Sequence, residues 1–316
     1  MGRERKNNSW ENLTGFRYAH RGLFNQPLSA SVKNVLPDRV LWDEDVRLWR
    51  EKGRRLIPEN SMRAFCMAVK KGFGSELDVH LTKDEKLCVF HDSSLLRMCG
   101  VRGTVEEMTL AELQRVPLLH GRDRIPEFAD VLALYTSARA LTERMDARTG
   151  RRTQLHLPLI IELKAEKNAK KLCGRVMEEI DRYPELNYCI ESFDPRVVWW
   201  FRKNRPDVIR GQLTENFMKS RSAVRKWGHL MTLGMWSGAT DLISRPDFVS
   251  SKYADRKNIF LRLEKKLGVR QVHWTIKNRW QMAQVDREGG LSIFERFIPF
   301  RDDAETPGDD IGPSQL

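Results

Sequence analysis

Long apolar runs, paired cysteines and an apolar leader are all missing from this sequence. No stretch reaches the roughly 18 apolar residues that a membrane-spanning helix needs. Residues 1–12 are polar, which argues against a secretory signal and predicts a cytoplasmic location. The cysteines are odd in number and lack the close Cys–His spacings of a zinc site, so we predict reduced thiols. They are Cys66, Cys88, Cys99, Cys173 and Cys189.

Acidic residues are fewer than basic residues in this sequence. The chain has 43 Asp and Glu against 55 Lys and Arg, a formal net charge of +12. This charge suits nucleic acid, an anionic membrane surface or a site for an anionic substrate. Because the basic residues are scattered, nucleic acid is the least favoured partner, and peripheral contact with an anionic membrane stays open. The composition says nothing about the oligomeric state.

A length of 316 residues suits one large α/β domain. We predict a polar leader over residues 1–14 and a single barrel domain over 15–300. The barrel carries a long insertion at 23–57, after its first strand. A flexible tail is predicted over 301–316, where the sequence is polar and contains Gly and Pro.

Two carboxylates occupy one face of a predicted strand. Glu76 and Asp78 are two residues apart, so their side chains point the same way. Like charges on a buried face repel each other unless a cation lies between them or one is protonated. A short turn and a second apolar strand follow, ending at His91. This arrangement indicates a functional site.

Other predicted strands end in similar polar groups. His20 and Arg21 follow the first strand, and a guanidinium beside an imidazole suits phosphate recognition. Glu162 and Lys164 share a face of a later strand and could simply pair with each other. Glu59 precedes a predicted helix, where it is either a first-turn acid or a residue on the rim of the site.

Strands alternate with helical patterns along the chain, which predicts a parallel sheet covered by helices. With eight or nine candidate strands, we predict an α/β fold, a (β/α)8 TIM-type barrel, whose active site lies at the carboxyl ends of the strands. One strand is in excess, and the short turn between Thr82 and Leu87 permits a hairpin there. Residues 138–156 are interpreted as an irregular surface excursion.

These side chains form a set suited to cleaving a phosphodiester. Three carboxylates make an oxygen-rich site for one divalent cation, Mg²⁺ or Ca²⁺. Two histidines can act as general base and general acid, because their pKa values lie near neutrality. Arg21 and Lys164 can neutralise the phosphate.

Several short motifs follow one another along residues 16–299. They are Ala19-His20-Arg21-Gly22, Pro58-Glu59-Asn60-Ser61, Glu76-Leu77-Asp78-Val79, Leu81-Thr82-Lys83-Asp84, Val89-Phe90-His91-Asp92, Ile161-Glu162-Leu163-Lys164, Glu191-Ser192-Phe193-Asp194 and Trp274-Thr275. In these motifs and their order, the sequence resembles the glycerophosphodiester phosphodiesterase family. The resemblance implies a TIM-type barrel and metal-dependent hydrolysis of glycerophosphodiesters to glycerol 3-phosphate and an alcohol, within glycerol and lipid metabolism.

The resemblance also implies roles for individual residues. The nucleophile, either the glycerol 2-hydroxyl or water, stays open, as does the alcohol group. The insertion at 23–57 is longer than expected between these motifs and bears on specificity. By motif, the resemblance implies that His20 is the proton acceptor and that His91 is the proton donor. It implies that the metal ligands are Glu76, Asp78 and Glu162, and that the phosphate is bound by Arg21 and Lys164. Trp274 would pack against glycerol, and Glu59 has a less defined polar role.

Two other functions compete with this one. The first is a related barrel phosphodiesterase acting on lysophospholipids or phosphoinositides at a membrane surface. The net charge and the tryptophans Trp42, Trp49, Trp199 and Trp200 favour it. The second is a non-catalytic basic binding module, which gives no physical reason to keep two histidines beside an acid cluster.

Overall fold

The computed structural model of the chain describes residues 9–25, 56–145, 152–216, 228–229, 232–234 and 237–299. Most of the predicted leader, insertion and tail lies outside the described residues, as do Trp42 and Trp49.

Eleven strands lie within the described residues. They are β1 (Tyr18–Ala19), β2 (Gly74–Leu81), β3 (Leu87–Val89), β4 (Leu141–Met145), β5 (Arg152–His156), β6 (Leu159–Leu163), β7 (Tyr188–Ser192), β8 (Arg210–Thr214), β9 (Phe248–Lys252), β10 (Arg270–Ile276) and β11 (Leu291–Phe294).

The helices of the same residues are short or of medium length. They are α1 (Trp10–Leu13), α2 (Met62–Lys70), α3 (Leu96–Cys99), α4 (Leu110–Leu113), α5 (Phe128–Tyr135), α6 (Ala169–Ile180), α7 (Pro195–Asn204), α8 (Asp241–Ser244), α9 (Ile259–Lys266) and α10 (Arg279–Arg287). Single 3-10 turns cover Val105–Glu107, Leu118–His120, Ala138–Ala140 and Tyr253–Asp255.

Eight parallel strands close into a barrel, which confirms the predicted fold. Around the barrel the order is β1, β2, β6, β7, β8, β9, β10 and β11, and β1 pairs with both β2 and β11. The extra strand is β3, which runs antiparallel to β2 through the hairpin that the sequence permitted. The largest apolar cluster lies between the barrel strands and the inner faces of helices such as α5, α6 and α7.

Helix α2 shows how the local sequence positions the site. The Ser61 hydroxyl accepts a hydrogen bond from the Ala64 amide, so Ser61 caps the helix as predicted. Its buried side, which includes Phe65 and Val69, packs on the barrel. The residues just before the cap, Glu59 and Asn60, are thereby held at the barrel mouth, buried.

Two segments differ from the sequence-based interpretation. Residues 141–156 contain a two-stranded hairpin, β4 with β5, paired from Leu141 and His156 to Met145 and Arg152. The interpretation of this segment as irregular was wrong. Its strands carry few apolar residues, so the sequence lacks the alternation with a period of two that marks a half-buried strand. In the described part of the predicted leader, residues 9–14, Trp10–Leu13 form α1 and Leu13 is completely buried, so these residues are not a loose polar stretch.

The cysteines are all free thiols, as predicted, and every one except Cys66 is buried. Within the described ranges, no helix has both the length and the apolar character needed to cross a bilayer.

Gly211 allows β8 and β9 to approach closely. A Cβ atom at this position would overlap the ring of Phe248, which is fully buried on the neighbouring strand. We expect Gly211→Ala to lower the free energy of unfolding by about 1–3 kcal/mol, because the packed ring has to move. Urea denaturation of the purified variant measures this change.

Gly174→Ala is the matched control. Gly174 lies within α6 and nothing stands within 4 Å of the added Cβ atom. Helix propensity predicts an unchanged or higher stability, by up to about 1 kcal/mol. Equal effects of the two substitutions would contradict the packing argument.

Candidate active site

A cavity of about 550 Å³ opens at the carboxyl ends of the barrel strands. Because parallel strands all end at this edge, side chains that are distant in sequence meet here. Two predicted residues, Glu59 and Asp78, are buried beside the cavity, in contact with the Arg21 side chain. The other predicted residues line it: His20, Arg21, Glu76, His91, Glu162, Lys164 and Trp274.

Three carboxylates converge from two neighbouring strands. Oxygen atoms of Glu76, Asp78 and Glu162 lie within 4.8 Å of one another, and all three residues are buried. The register of β2 and β6 sets Asp78 directly opposite Glu162, which brings the groups together. An all-oxygen set of this kind fits a hard divalent cation.

The electrostatics support that fit. Burial, together with repulsion from the other two carboxylates, raises the pKa of Glu76 well above its usual value. Burial also raises the pKa of Glu162, to about 7. Although burial opposes it, Lys164, His91 and Arg21 hold the pKa of Asp78 well below its usual range. The cluster can therefore accept further positive charge.

Lys164 bridges two of these carboxylates. Its Nζ atom lies 2.8 Å from Asp78 Oδ1 and 2.6 Å from Glu162 Oε1. The pairing of Glu162 with Lys164 that the sequence left open is thus present. Glu162 is not the sole partner of Lys164, because the ammonium group also contacts Asp78 on the neighbouring strand β2, and Lys164 lines the cavity.

Arg21 is held by both its backbone and its side chain. It has a left-handed backbone with φ of +52°, and its amide donates to Glu76 Oε2 at 3.0 Å. Its guanidinium donates to Glu59 Oε1 at 2.8 Å and lies 3.5 Å from Asp78. Gly22 follows with no room for a side chain against the Ala64 backbone, consistent with the sharp turn of the motif.

Glu59 lies between two guanidinium groups. Its Oε1 accepts from Arg21 at 2.8 Å and from Arg97 at 2.5 Å. Although burial opposes ionisation, these two cations lower the pKa of Glu59 to about 2. Arg97 also donates to Asp92 at 2.6 Å. A continuous ion network therefore joins Arg21 to the residue that follows His91.

Both cavity histidines have a carboxylate at Nδ1. The distance is 2.5 Å from His91 to Asp92 Oδ1 and 3.0 Å from His20 to Glu295 Oε2. Such a partner orients the ring and stabilises its protonated form. Burial, helped by Arg21, nevertheless lowers the pKa of His20. Burial and the charges of Lys164 and Arg21 lower that of His91 to about 4.

Trp274 supplies an apolar wall. Its ring meets that of Phe193 edge to face, with centroids 5.9 Å apart, and its Nε1 donates to the Ser250 carbonyl at 3.3 Å. Leu213 lines the same cavity. The site therefore has a charged end around the carboxylates and an apolar side.

The sequence analysis did not identify several residues of the site as functional groups. Glu295 follows β11 directly, so its place at a strand end was a usable signal. Asn60, which donates to Asp78 at 2.7 Å, lies inside a quoted motif. Glu191 also lies in a motif, and burial and the nearby Glu162 raise its pKa to about 8. Arg97 carried no pattern that could have marked it.

Comparison with known proteins gives a consistent result. Residues 53–294 match the family model described as the glycerophosphoryl diester phosphodiesterase family. The Bacillus subtilis protein YhdW, provisionally named a glycerophosphodiester phosphodiesterase, is 27% identical over 254 residues, 77% of this chain and 90% of YhdW. Human lysophospholipase D GDPD1 is 31% identical over 138 residues, 40% of this chain and 37% of that protein.

The fold also matches solved structures. A phosphodiesterase from Oleispira antarctica, solved in complex with the product sn-glycerol-3-phosphate, superimposes with a TM-score of 0.61 at 16% identity. The match covers 90% of this chain and 94% of that one. At this identity, the likeness establishes the fold.

The buried Glu59 carboxylate predicts a pH-dependent stability. Its pKa of about 2 lies below the ordinary 4.5, so ionisation stabilises the folded chain by about 3 kcal/mol above pH 4.5. We expect Glu59→Gln to lose this amount at neutral pH. Because the pKa is depressed, the difference from the wild type shrinks as the pH falls from about 4.5 towards 2. Urea unfolding at several pH values measures it.

Glu143→Gln is the control, because Glu143 forms an exposed pair with Arg152 at 3.4 Å. We expect a change within about 0.5 kcal/mol at every pH. A pH-independent loss in Glu59→Gln would show that its charge contributes nothing to stability.

Proposed function

The chain belongs to the glycerophosphoryl diester phosphodiesterase family, and on this basis we propose that it hydrolyses glycerophosphodiesters to sn-glycerol 3-phosphate and an alcohol. One observation carries the proposal. Two imidazoles, each with a carboxylate at Nδ1, line one cavity together with two cations and two carboxylates, and the buried Asp78 converges on those two carboxylates. The product held by the Oleispira antarctica structure supports this substrate class.

Glu76, Asp78 and Glu162 would hold one divalent cation, either Mg²⁺ or Ca²⁺. When bound, such an ion supplies positive charge that neutralises the phosphate and the charge developing on it. The raised carboxyl pKa values of Glu76 and Glu162 support this assignment: burial is the main cause and repulsion from neighbouring carboxylates adds to it, so a cation at this point would favour the ionised groups.

Arg21 and Lys164 bind the phosphate in this scheme. Both are ion-paired groups that are mostly but not fully buried, so their charges are weakly screened by solvent and are already positioned before substrate arrives. Trp274, with Phe193 behind it, would pack against the glycerol carbons.

The two histidines move the protons. His20 accepts the proton of the nucleophile, which is the glycerol 2-hydroxyl or water, as oxygen attacks phosphorus. The bond from phosphorus to the alcohol oxygen breaks, and His91 donates a proton to that oxygen. Attack by water gives glycerol 3-phosphate directly. Attack by the 2-hydroxyl gives a cyclic phosphate, which water then opens to glycerol 3-phosphate as His91 accepts the proton of water and His20 returns its proton to the 2-oxygen. Glu295 and Asp92 stabilise the imidazolium forms. A phosphate anion beside Lys164 and Arg21 offsets the charges that lower the pKa of His91, which favours its protonated form.

Hydrolysis of a lysophospholipid is the second candidate function. Two observations favour it: the apolar side of the cavity and the similarity to human lysophospholipase D GDPD1. Comparing kcat/KM for glycerophosphocholine with kcat/KM for lysophosphatidylcholine distinguishes the two candidate functions, and we expect the higher value for glycerophosphocholine.

The non-catalytic alternative is set aside, because the chain belongs to a family of enzymes. The cytoplasmic location stays a prediction.

We expect His20→Ala and His91→Ala each to reduce kcat for glycerophosphocholine by about 10²–10⁴-fold, because each removes a proton-transfer group. Enzyme-linked detection of glycerol 3-phosphate measures the rate, and circular dichroism checks that the fold survives.

His156→Ala is the control, since this histidine ends β5, away from the residues that line the cavity. It should retain wild-type kcat. Wild-type activity in either cavity variant would contradict the assigned roles.

Metal dependence gives a separate test. We expect dialysis against a chelator to abolish activity and added Mg²⁺ or Ca²⁺ to restore it, because three carboxylates are left without their counter-ion. A chelator saturated with Mg²⁺ beforehand should have no effect. Full activity after exhaustive chelation would refute metal dependence and leave the hydrolase assignment intact.

A further inference from the structure

Helix α9 presents apolar side chains to solvent. Ile259, Leu263 and, at its C-terminal end, Leu267 recur every four residues, so they form one stripe along the helix. They are 71%, 54% and 73% exposed. Leu261 alone is buried in this helix. An amphipathic helix usually turns its apolar face to the core, but the apolar stripe of α9 faces solvent.

The apolar surface extends onto α8. The Asp241 carboxyl group of α8 hydrogen-bonds to Glu264 of α9, which joins the two helices at this point. Leu242 and Ile243 on α8 are 77% and 66% exposed. Exposed large apolar side chains on two connected helices indicate an interaction site.

A basic cleft borders the stripe on its other side. This second cavity of about 550 Å³ lies between α9 and α10 and is separate from the catalytic cavity. Glu288 is the carboxylate among the residues that line it. The cations that line it are Arg256, Lys257, Arg262, Lys265 and Lys266.

The floor of the cleft is polar. Gln271 and His273 are buried on the outer face of β10, opposite to Trp274, which faces the catalytic cavity. A barrel strand normally turns apolar side chains towards its helices. Arg256 is held in place in the wall, stacked on Tyr253 at 4.1 Å and bonded to Gln284 at 3.1 Å. The cleft is thus built from positioned groups.

We propose that this face docks onto an anionic phospholipid surface, with the α9 stripe in the lipid and the cleft holding a headgroup phosphate. Arg262 and Lys266 lie on α9 between the stripe and the cleft, and both are exposed. An interfacial helix has this arrangement, with apolar side chains directed into the bilayer and flanking cations at the headgroups. The net charge of +12 is complementary to such a surface.

A sedimentation assay with vesicles tests the proposal. The vesicles contain phosphatidylcholine alone or equal parts of phosphatidylcholine and phosphatidylserine. We expect the wild type to bind the mixed vesicles strongly and the neutral ones weakly. The double variant Arg262→Glu/Lys266→Glu should bind the mixed vesicles at least about tenfold more weakly, because each cation near an anionic surface contributes about a factor of five or more.

A charge-matched control distinguishes vesicle binding through the α9 face from binding that depends only on the net charge of the protein. Arg139→Glu/Lys170→Glu changes the net charge equally at exposed positions elsewhere on the barrel, and it should bind like the wild type. Equal losses in the two double variants would overturn the proposal, since they would show that net charge alone drives binding.

The stripe has its own matched pair. Leu263→Gln should weaken vesicle binding about tenfold, because a leucine side chain no longer enters the lipid. Leu96→Gln, on α3 and 51% exposed, should not. If the wild type is instead a dimer that Leu263→Gln dissociates, with no vesicle binding, the stripe is a self-association surface and the proposal is wrong.

Hydrolysis of soluble glycerophosphocholine is measured in parallel and should be unchanged in all these variants, which keep the catalytic cavity intact. Vesicle binding without hydrolysis would refute the proposed function and leave the docking site standing. Hydrolysis without vesicle binding would do the reverse.

Discussion

Compensation of buried charge is the constraint on which this structure depends. Three carboxylates meet at the mouth of the barrel, and each is costly to bury alone. Arg21 and Lys164 offset part of that charge through contacts of 2.6 to 3.5 Å. The remainder appears in the raised pKa values of Glu76 and Glu162. This incomplete balance is what suits the site to a metal ion and a phosphate.

Ion pairs also connect the groups to which we assign catalytic roles. Glu59 links Arg21 to Arg97, Arg97 holds Asp92, and Asp92 contacts His91. The proposed phosphate-binding residue Arg21 and the proposed proton donor His91 thus belong to one network. A change in any member alters the charge felt by the others, so single substitutions here are not expected to be additive.

The carboxylates, the histidines and Trp274 could be found from the sequence because each lies within a predicted strand or directly after one. The barrel topology then brings the carboxyl ends of these strands together. Glu295 could not be paired with His20 in this way, since they are 275 residues apart and only the neighbouring positions of β1 and β11 bring them together. Arg97 lies on a four-residue helix whose direction depends on the packing of the whole β3–α4 segment.

Local periodicity in the sequence is enough to predict the alternation of strands and helices and the polar groups at the strand ends. The folded chain is needed to show which strand is extra, which carboxylate faces each imidazole, and that the apolar stripe of α9 points outward. These features depend on which surfaces pack together, and a helix with one apolar face has the same local pattern whether that face meets a core or solvent.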